Sequence, residues 1–347
     1  LLDTGKLTSI PDESELWEIP IQVSDKQKAI ETIEKELAEL KKAGDIVNFI
    51  RWKAYYPLEI DDIFLKESNN PFPIEACKAR KKWLELNYTP DYVNLHRNEK
   101  NQITHTFSNN LPIKKFPVGP KDIQNLPTPP LSVFEYPDLD APFSTYVIGI
   151  DPYNEDTSSD KVNSLGSIVV RKRLYKLGDP WANKIVCTWT GRCRSVREFH
   201  ELAVMIAEWY NAKEGVLPEN EDKTLIQYFF LKKKGHYLAQ SMELAKEINQ
   251  TTKSTRTVGL SASTPNQKYY RALLVEEAKE EHEEVFEDGS FESHLGVDYI
   301  YDPMLLEEYI NYRGKESGSK GVHDGNYDRI ISAGHALALS KYYDNKY

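Results

Sequence analysis

A run of five apolar residues, Tyr146-Val147-Ile148-Gly149-Ile150, stops on an acid, Asp151. Successive side chains of a strand point to opposite faces, so a run that is apolar at every position needs cover on both sides. That requirement predicts a central strand in an α/β layering, with helices on each face of a sheet. The downstream residues supply the other layers. Leu165 to Val170 and Ile185 to Thr190 read as two more strands, which with the first make an antiparallel meander. Ser195-Val196-Arg197-Glu198 has the spacing of a capping box, opening a helix whose buried stripe is Val196, Phe199, Ala203, Ile206 and Tyr210. A brief strand, Gly215-Val216-Leu217, leads through Pro218-Glu219-Asn220 to a helix opened by Asp222 and carrying Leu225, Ile226 and Phe229. Tyr228, Phe229 and Phe230 are expected in the core. Further on, Gln267 to about Glu284 reads as a helix with a solvated acidic tail, Val297 to Tyr301 as a strand, and Met304 to Tyr312 as a helix. Asp324 can cap a last helix in which Ile330, Ala333 and Leu337 share one face, with Asp328 in or near its first turn.

Upstream, Ser24 to Ala43 has apolar residues at three-to-four spacing, which predicts an amphipathic helix ended by Gly44, and Ile74 to Leu86 predicts another. Eight prolines fall between Asn109 and Phe143, too many for a helix or a central strand. The organisation expected is a mainly helical N-terminal region over 1–108, a proline-rich connector over 109–143 and the α/β domain over 144–347. A first residue other than methionine reads as a fragment or a processed chain. No apolar run approaches the roughly 18 residues of a membrane span, so no membrane partner is expected. Three cysteines, an odd number with no CxxC pair, weigh against a disulfide scaffold and a structural zinc site and point to a reducing compartment. The eight histidines show no ligand spacing.

What remains is a set of acids at element ends. Cleavage of a phosphodiester with Mg²⁺ or Mn²⁺ needs several carboxylates at one place, because hard cations take oxygen ligands and two ions about 4 Å apart can serve attack and departure. Asp151 ends the first strand, Glu219 follows the fourth, and Asp328 stands at the start of the last helix. These three are the candidate catalytic residues and the candidate ligands of two ions, while Asp324 reads first as a helix cap. The net charge of −10 is unusual for a partner of nucleic acid, yet basic clusters lie inside the same domain. Arg171-Lys172-Arg173 and Arg192, Arg194 and Arg197 are the candidate contacts to a DNA backbone, and Lys232-Lys233-Lys234 is a further basic run.

Three strands, a helix, a strand and a helix are the order of an RNase H core. Four stretches narrow the resemblance: Tyr146 to Pro152, Trp209-Tyr-Asn-Ala212 leading to Glu219-Asn220, Asp302-Pro-Met-Leu-Leu-Glu307-Glu-Tyr309, and His323 to Arg329. Together they resemble the nuclease domain of viral terminase large subunits, the DNA-packaging motors of tailed bacteriophages and herpesviruses. Trp52 to Phe64 is similar to the stretch these proteins carry between ATPase and nuclease. The resemblance implies an RNase H-like mixed sheet of antiparallel meander plus parallel strands, flanked by helices. It also implies a metal-dependent endonuclease cutting concatemeric double-stranded viral DNA during packaging. Implied partners are the terminase ATPase domain, the small subunit and the portal, at the procapsid portal in the host cytoplasm. The adjacent acid pair usual in the last motif is opened here by Gly325, Asn326 and Tyr327, leaving Asp324 and Asp328 as alternatives for one ligand position. No G-x-x-x-x-G-K-[ST] phosphate loop is present, so ATP hydrolysis is not expected of this chain. Two rival readings are a resolvase- or transposase-type nuclease on the same fold and a non-catalytic docking module of the packaging motor.

Overall fold

The computed structural model describes residues 26–42, 52, 53, 56, 58, 70–113, 128–153, 165–219, 223–240, 244, 258–285, 291–313 and 327–346. The chain divides into two units, Leu1–Asn69 and Asn70–Tyr347. In the first, helix α1 (Lys26–Lys42) buries Ile33 and Leu37, the apolar stripe its spacing predicts. Trp52 and Tyr56 place their ring centroids 4.6 Å apart, while most of the Trp52–Phe64 stretch lies outside the described residues.

The second unit is built on the strand that the apolar run predicts. β4 (Tyr146–Asp151) is buried at every position, and so is β5 (Gly166–Lys172), its antiparallel neighbour. For this numbering, helix α2 is Ile74–Asn87, and β1 (Asp91–Arg97), β2 (Ile103–Phe107) and β3 (Leu131–Val133) precede β4. β6 (Lys184–Gly191) pairs antiparallel with β5, and β7 (Val216–Pro218) joins the other side of β4 in parallel. Leu238 then makes a parallel bridge to Val216, the trace of a fifth core strand. This is an RNase H-like mixed sheet.

Alternation along β4 divides its side chains between two helical layers. Ile148 and Ile150, with Ile168, Val170 and Trp189, meet Phe199, Ala203, Ile206 and Tyr210 of α3 (Val196–Trp209). Each of the isoleucine, valine and phenylalanine side chains among them is worth roughly 1.5–3 kcal/mol when fully buried. Ser195 caps α3 by accepting the Glu198 amide at 3.2 Å, as the capping-box spacing predicts. On the opposite face Val147 packs with Leu339 and Tyr343 of the last helix, α7 (Asp328–Lys346). Helices α4 (Thr224–Leu231), α5 (Thr264–Lys279) and α6 (Pro303–Ile310) complete the layers. Ile330, Ala333 and Leu337 are buried on α7, in agreement with the sequence periodicity.

Several expectations need correcting. The region expected to be mainly helical, 1–108, also supplies strands among its described residues: β1 and β2, with β3 from the expected connector, extend the same sheet, in the order β2-β1-β3-β6-β5-β4-β7. A strand edge left at β6 would expose unpaired amides and carbonyls, and β3 satisfies them through Ser132↔Thr188 and Val133↔Cys187. The division at Asn69 therefore replaces the one expected near residue 144. Part of the proline-rich stretch is core rather than connector, since Pro129 and Pro130 are buried and the Pro129 carbonyl accepts the Trp189 indole N–H at 2.8 Å. The acidic tail is not helical either. α5 ends at Lys279, and Glu281–Val285 (β8) pairs antiparallel with Phe291–Leu295 (β9). Val297 to Tyr301, expected as a strand, begins instead in a 3-10 turn over Gly296–Tyr299. Gly296 runs so close to α5 that an added Cβ would sit 1.7 Å from the Glu277 carbonyl oxygen. Phe230, expected inside, is 58% exposed, whereas Tyr228 and Phe229 are buried.

Candidate metal centre

Strand β4 delivers Asp151 to the sheet edge, and the parallel pairing of β7 brings the next carboxylate beside it. Ile150 is the partner of Pro218, and the Glu219 amide donates to the Ile150 carbonyl at 2.8 Å. Glu219 thus stands beside the end of β4 that bears Asp151, bridged on its other side to Leu260.

The third acid arrives on α7, and one glycine decides how closely. A Cβ on Gly149 would stand 1.8 Å from the Ser332 carbonyl oxygen and 2.6 Å from the Ala336 amide nitrogen, so strand and helix touch backbone to backbone. One turn before Ser332 is Asp328. The register is pinned by hydroxyls: Ser167, the β5 partner of Asp151, shares a 2.7 Å hydrogen bond with Ser332 and a 3.2 Å one with Thr190. Ser332 also donates to the Asp328 carbonyl at 3.0 Å.

Asp151 and Asp328 are each about 94% buried and hydrogen-bonded to one another. Burial, then the charges of Glu219, Asp328 and Glu308, hold the Asp151 carboxyl well above the usual carboxylate range. Burial pushes Asp328 up to about 6 against the opposing pull of Arg329, the Leu165 amide and the bond to Asp151. Both carboxyls of the pair thus hold a proton more readily than an exposed acid would, because burial and neighbouring negative charge disfavour their ionised forms. Glu308 is pushed up to about 7, mainly by burial, and Arg329 draws it back down.

All-oxygen donors under mutual repulsion suit a hard divalent cation, which would relieve the convergence of negative charge that raises both carboxyls. The donor set fits Mg²⁺ or Mn²⁺ on that ground. Among the described residues, no three acid, histidine or cysteine side chains already stand as a finished cage. Asp324 lies outside the described residues, so the choice between it and Asp328 is open on one side only: Asp328 is beside Asp151.

The basic candidates separate. Arg192, Arg194 and Arg197 follow the end of β6, where Gly191 pairs with Gly166, the same sheet end as Asp151. The Arg192 guanidinium lies 4.3 Å from the ring centroid of Tyr153, two residues beyond Asp151, and Arg194 and Arg197 are exposed. Arg171, Lys172 and Arg173 sit at the opposite end of β5 and are turned inward. Lys172 pairs with Glu135 at 2.7 Å and Asp179 at 2.8 Å, Arg173 with Asp344 at 2.8 Å, and Arg171 with Glu277. Charges committed to ion pairs within the chain are less available to phosphates than those of Arg194 and Arg197. Of the Lys232–Lys234 run, Lys232 and Lys234 pair with Glu201 and Glu208.

Sequence reasoning did not single out Ser167, Ser332 or Glu308. Glu308 lay in the recognised Asp302–Tyr309 stretch, but an acid inside a short helix carries no signal of what it faces.

No protein-family model matches the sequence, and no curated protein matches it. Solved structures similar to it in three dimensions include the following two. One is the large terminase nuclease from thermophilic phage G20c, with 13% identity, a TM-score of 0.36 and coverage of 66% of this chain and 92% of that one. The other is the same nuclease with bound magnesium, with 15% identity, a TM-score of 0.37 and coverage of 67% and 92%. At these scores the likeness adds no weight to the sheet order, on which the fold assignment stands.

Proposed function

We propose that this chain is a metal-dependent endonuclease of the terminase large-subunit type, cutting double-stranded viral DNA during packaging. The observation that carries the reading is the meeting of Asp151 and Asp328, from residues far apart in sequence, beside the strand end that bears Glu219. Asp151, Glu219 and Asp328 would hold two Mg²⁺ or Mn²⁺ ions. When bound, such ions lower the pKa of a coordinated water and stabilise the leaving oxygen of a phosphodiester. Asp151 would serve as a ligand in its ionised form, and the Ser167–Ser332 bond keeps α7 in register with the strand. Arg194 and Arg197, exposed at the same sheet end, are suited to phosphate oxygens, with Arg192 steadied on Tyr153. Contacts to phosphate position a duplex without reading its sequence, so choice of site would fall to the ATPase domain, small subunit and portal that the motif resemblance implies.

The test is cleavage of supercoiled plasmid with Mn²⁺ or Mg²⁺ by the wild type and by Asp151→Ala. Cutting by the former and not the latter is expected. A wild type inert with every divalent ion would leave the docking-module reading in its place.

A further inference from the structure

Glu308 reaches from α6 to the start of α7. Its Oε2 accepts the Ile330 amide at 3.0 Å, and its Oε1 accepts the Arg329 amide at 3.4 Å and Arg329 Nη1 at 3.2 Å. The first amides of a helix have no intrahelical partners, and an acid of the first turn or N-cap commonly satisfies them. The first-turn acid of α7 is Asp328 itself. An aspartate that caps spends its oxygens on its own helix. Here the Asp328 carboxylate is engaged instead by Asp151 and the Leu165 amide, because another helix supplies the cap.

We propose that Glu308 is a positioning residue that caps α7 from outside and so leaves Asp328 free to face the ion site. This rests on the reading of Asp151, Glu219 and Asp328 as ligands. A second observation explains why an additional acid is tolerated so near the others. Arg329 lies between Glu308 and Asp302, its Nε 4.0 Å from Asp302 Oδ2, and Asp302 caps α6 by accepting the Met304 amide at 2.8 Å. One buried guanidinium thus joins the caps of two helices and partly offsets the charge of Glu308, which holds the helix start.

The experiment is calorimetric titration of the full chain with Mn²⁺ in the absence of DNA, alongside plasmid cleavage as a function of Mn²⁺, for wild type, Glu308→Gln and Glu308→Ala. Outer partners that orient a ligand typically cost about 10- to 100-fold in metal affinity when lost. Glu308→Ala is expected in that range, with cleavage partly recovered by added Mn²⁺ and the KM for DNA unchanged. Glu308→Gln keeps one acceptor oxygen of two and is expected to weaken Mn²⁺ several-fold. A merely structural role would lower the melting temperature and leave Mn²⁺ half-saturation unmoved, and that result overturns the proposal. Should Glu308→Ala fail to fold, Glu308→Gln decides, with wild-type Mn²⁺ affinity overturning it. A wild type that binds no Mn²⁺ sinks the ion-site reading and this proposal with it, whereas a wild type that binds while both variants match it sinks this proposal alone.

Discussion

The two ends of β5 handle charge in opposite ways. At the Lys172 end, cations and anions are interleaved: Lys172 with Glu135 and Asp179, Arg173 with Asp344, Arg171 with Glu277. At the Ser167 end the side chains gathered around Asp151 are Glu219, Asp328 and Glu308, and the cation in contact, Arg329, is bound up with Glu308 and Asp302. A buried charge with its opposite beside it is a structural device. Buried like charges crowded together are a cost to folding, which makes sense where a cation is to be bound. One strand therefore carries a stabilising cluster and a destabilised one about five residues apart, and substitutions at the two ends should behave differently.

The largest effect is expected at the acidic end on chemistry. Asp151→Asn should reduce Mn²⁺-dependent plasmid cleavage by more than the roughly 10- to 100-fold of losing an orienting partner. The same variant, melted in EDTA at pH 7.5, should be as stable as the wild type or more so, since it removes a repelled carboxylate. A fall in its melting temperature would show that the acid end is an ordinary structural network. At the other end the pattern reverses: Lys172→Ala strands Glu135 and Asp179 in a poorly hydrated place and should cost about 3–5 kcal/mol in urea unfolding. Cleavage per folded molecule should stay at the wild-type level, and a selective loss of activity would erase the contrast. Between these lies Gly149→Ala. Its Cβ collides with α7 backbone rather than with a pliable side chain, so about 1–3 kcal/mol of stability should be lost, with a rise in the Mn²⁺ needed for half-maximal cleavage as Asp328 is pushed from Asp151.

Much of the acidic end was legible because it hangs on regular elements. A fully apolar run announced β4, the strand order placed Glu219, and the periodicity of Ile330, Ala333 and Leu337 placed the start of α7 to within a few residues. The paired end was not legible. Arg171-Lys172-Arg173 looks like a solvent-facing basic patch, and nothing local shows that Glu135, Asp179, Glu277 and Asp344 return to meet it. The domain boundary was misplaced for a related reason. Prolines argue correctly against a continuous helix, but a three-residue strand such as β3 needs little regular backbone, and its pairing partner on β6 lies more than fifty residues away. The β8–β9 hairpin had a signal that went unused: Asp288-Gly289 lies between two stretches of strand length, a favoured turn pair for a reversal. A run of glutamates at a helix end suggested solvation and drew attention from it.

A smaller effect separates the ends by pH. Asp328 rises from 3.8 to about 6 and Glu308 from 4.5 to about 7 in the folded protein. Groups with raised carboxyl pKa values favour folding when protonated, so their contribution is present below about pH 4 and lost as pH climbs through about 6 to 7. In EDTA, stability to urea should therefore fall between pH 5 and pH 7.5 by an amount on the order of a few kcal/mol. Mn²⁺ should restore it at pH 7.5 and do less at pH 5, where protons compete with the ion for carboxyls of raised pKa. Asp151→Asn should flatten the dependence and Lys172→Ala should leave its slope alone.

The smallest effect concerns the surface around the acids. Arg194→Ala and Arg197→Ala should each weaken binding of duplex DNA by Asp151→Asn protein a few-fold, equally for unrelated sequences. Each should also lower the slope of log binding constant against log salt by about 0.9 if it neutralises one phosphate. Arg173→Ala, at the paired end, should leave that slope where it was. Equal slopes for all three variants would mean that DNA lies elsewhere than across the sheet end that carries Asp151.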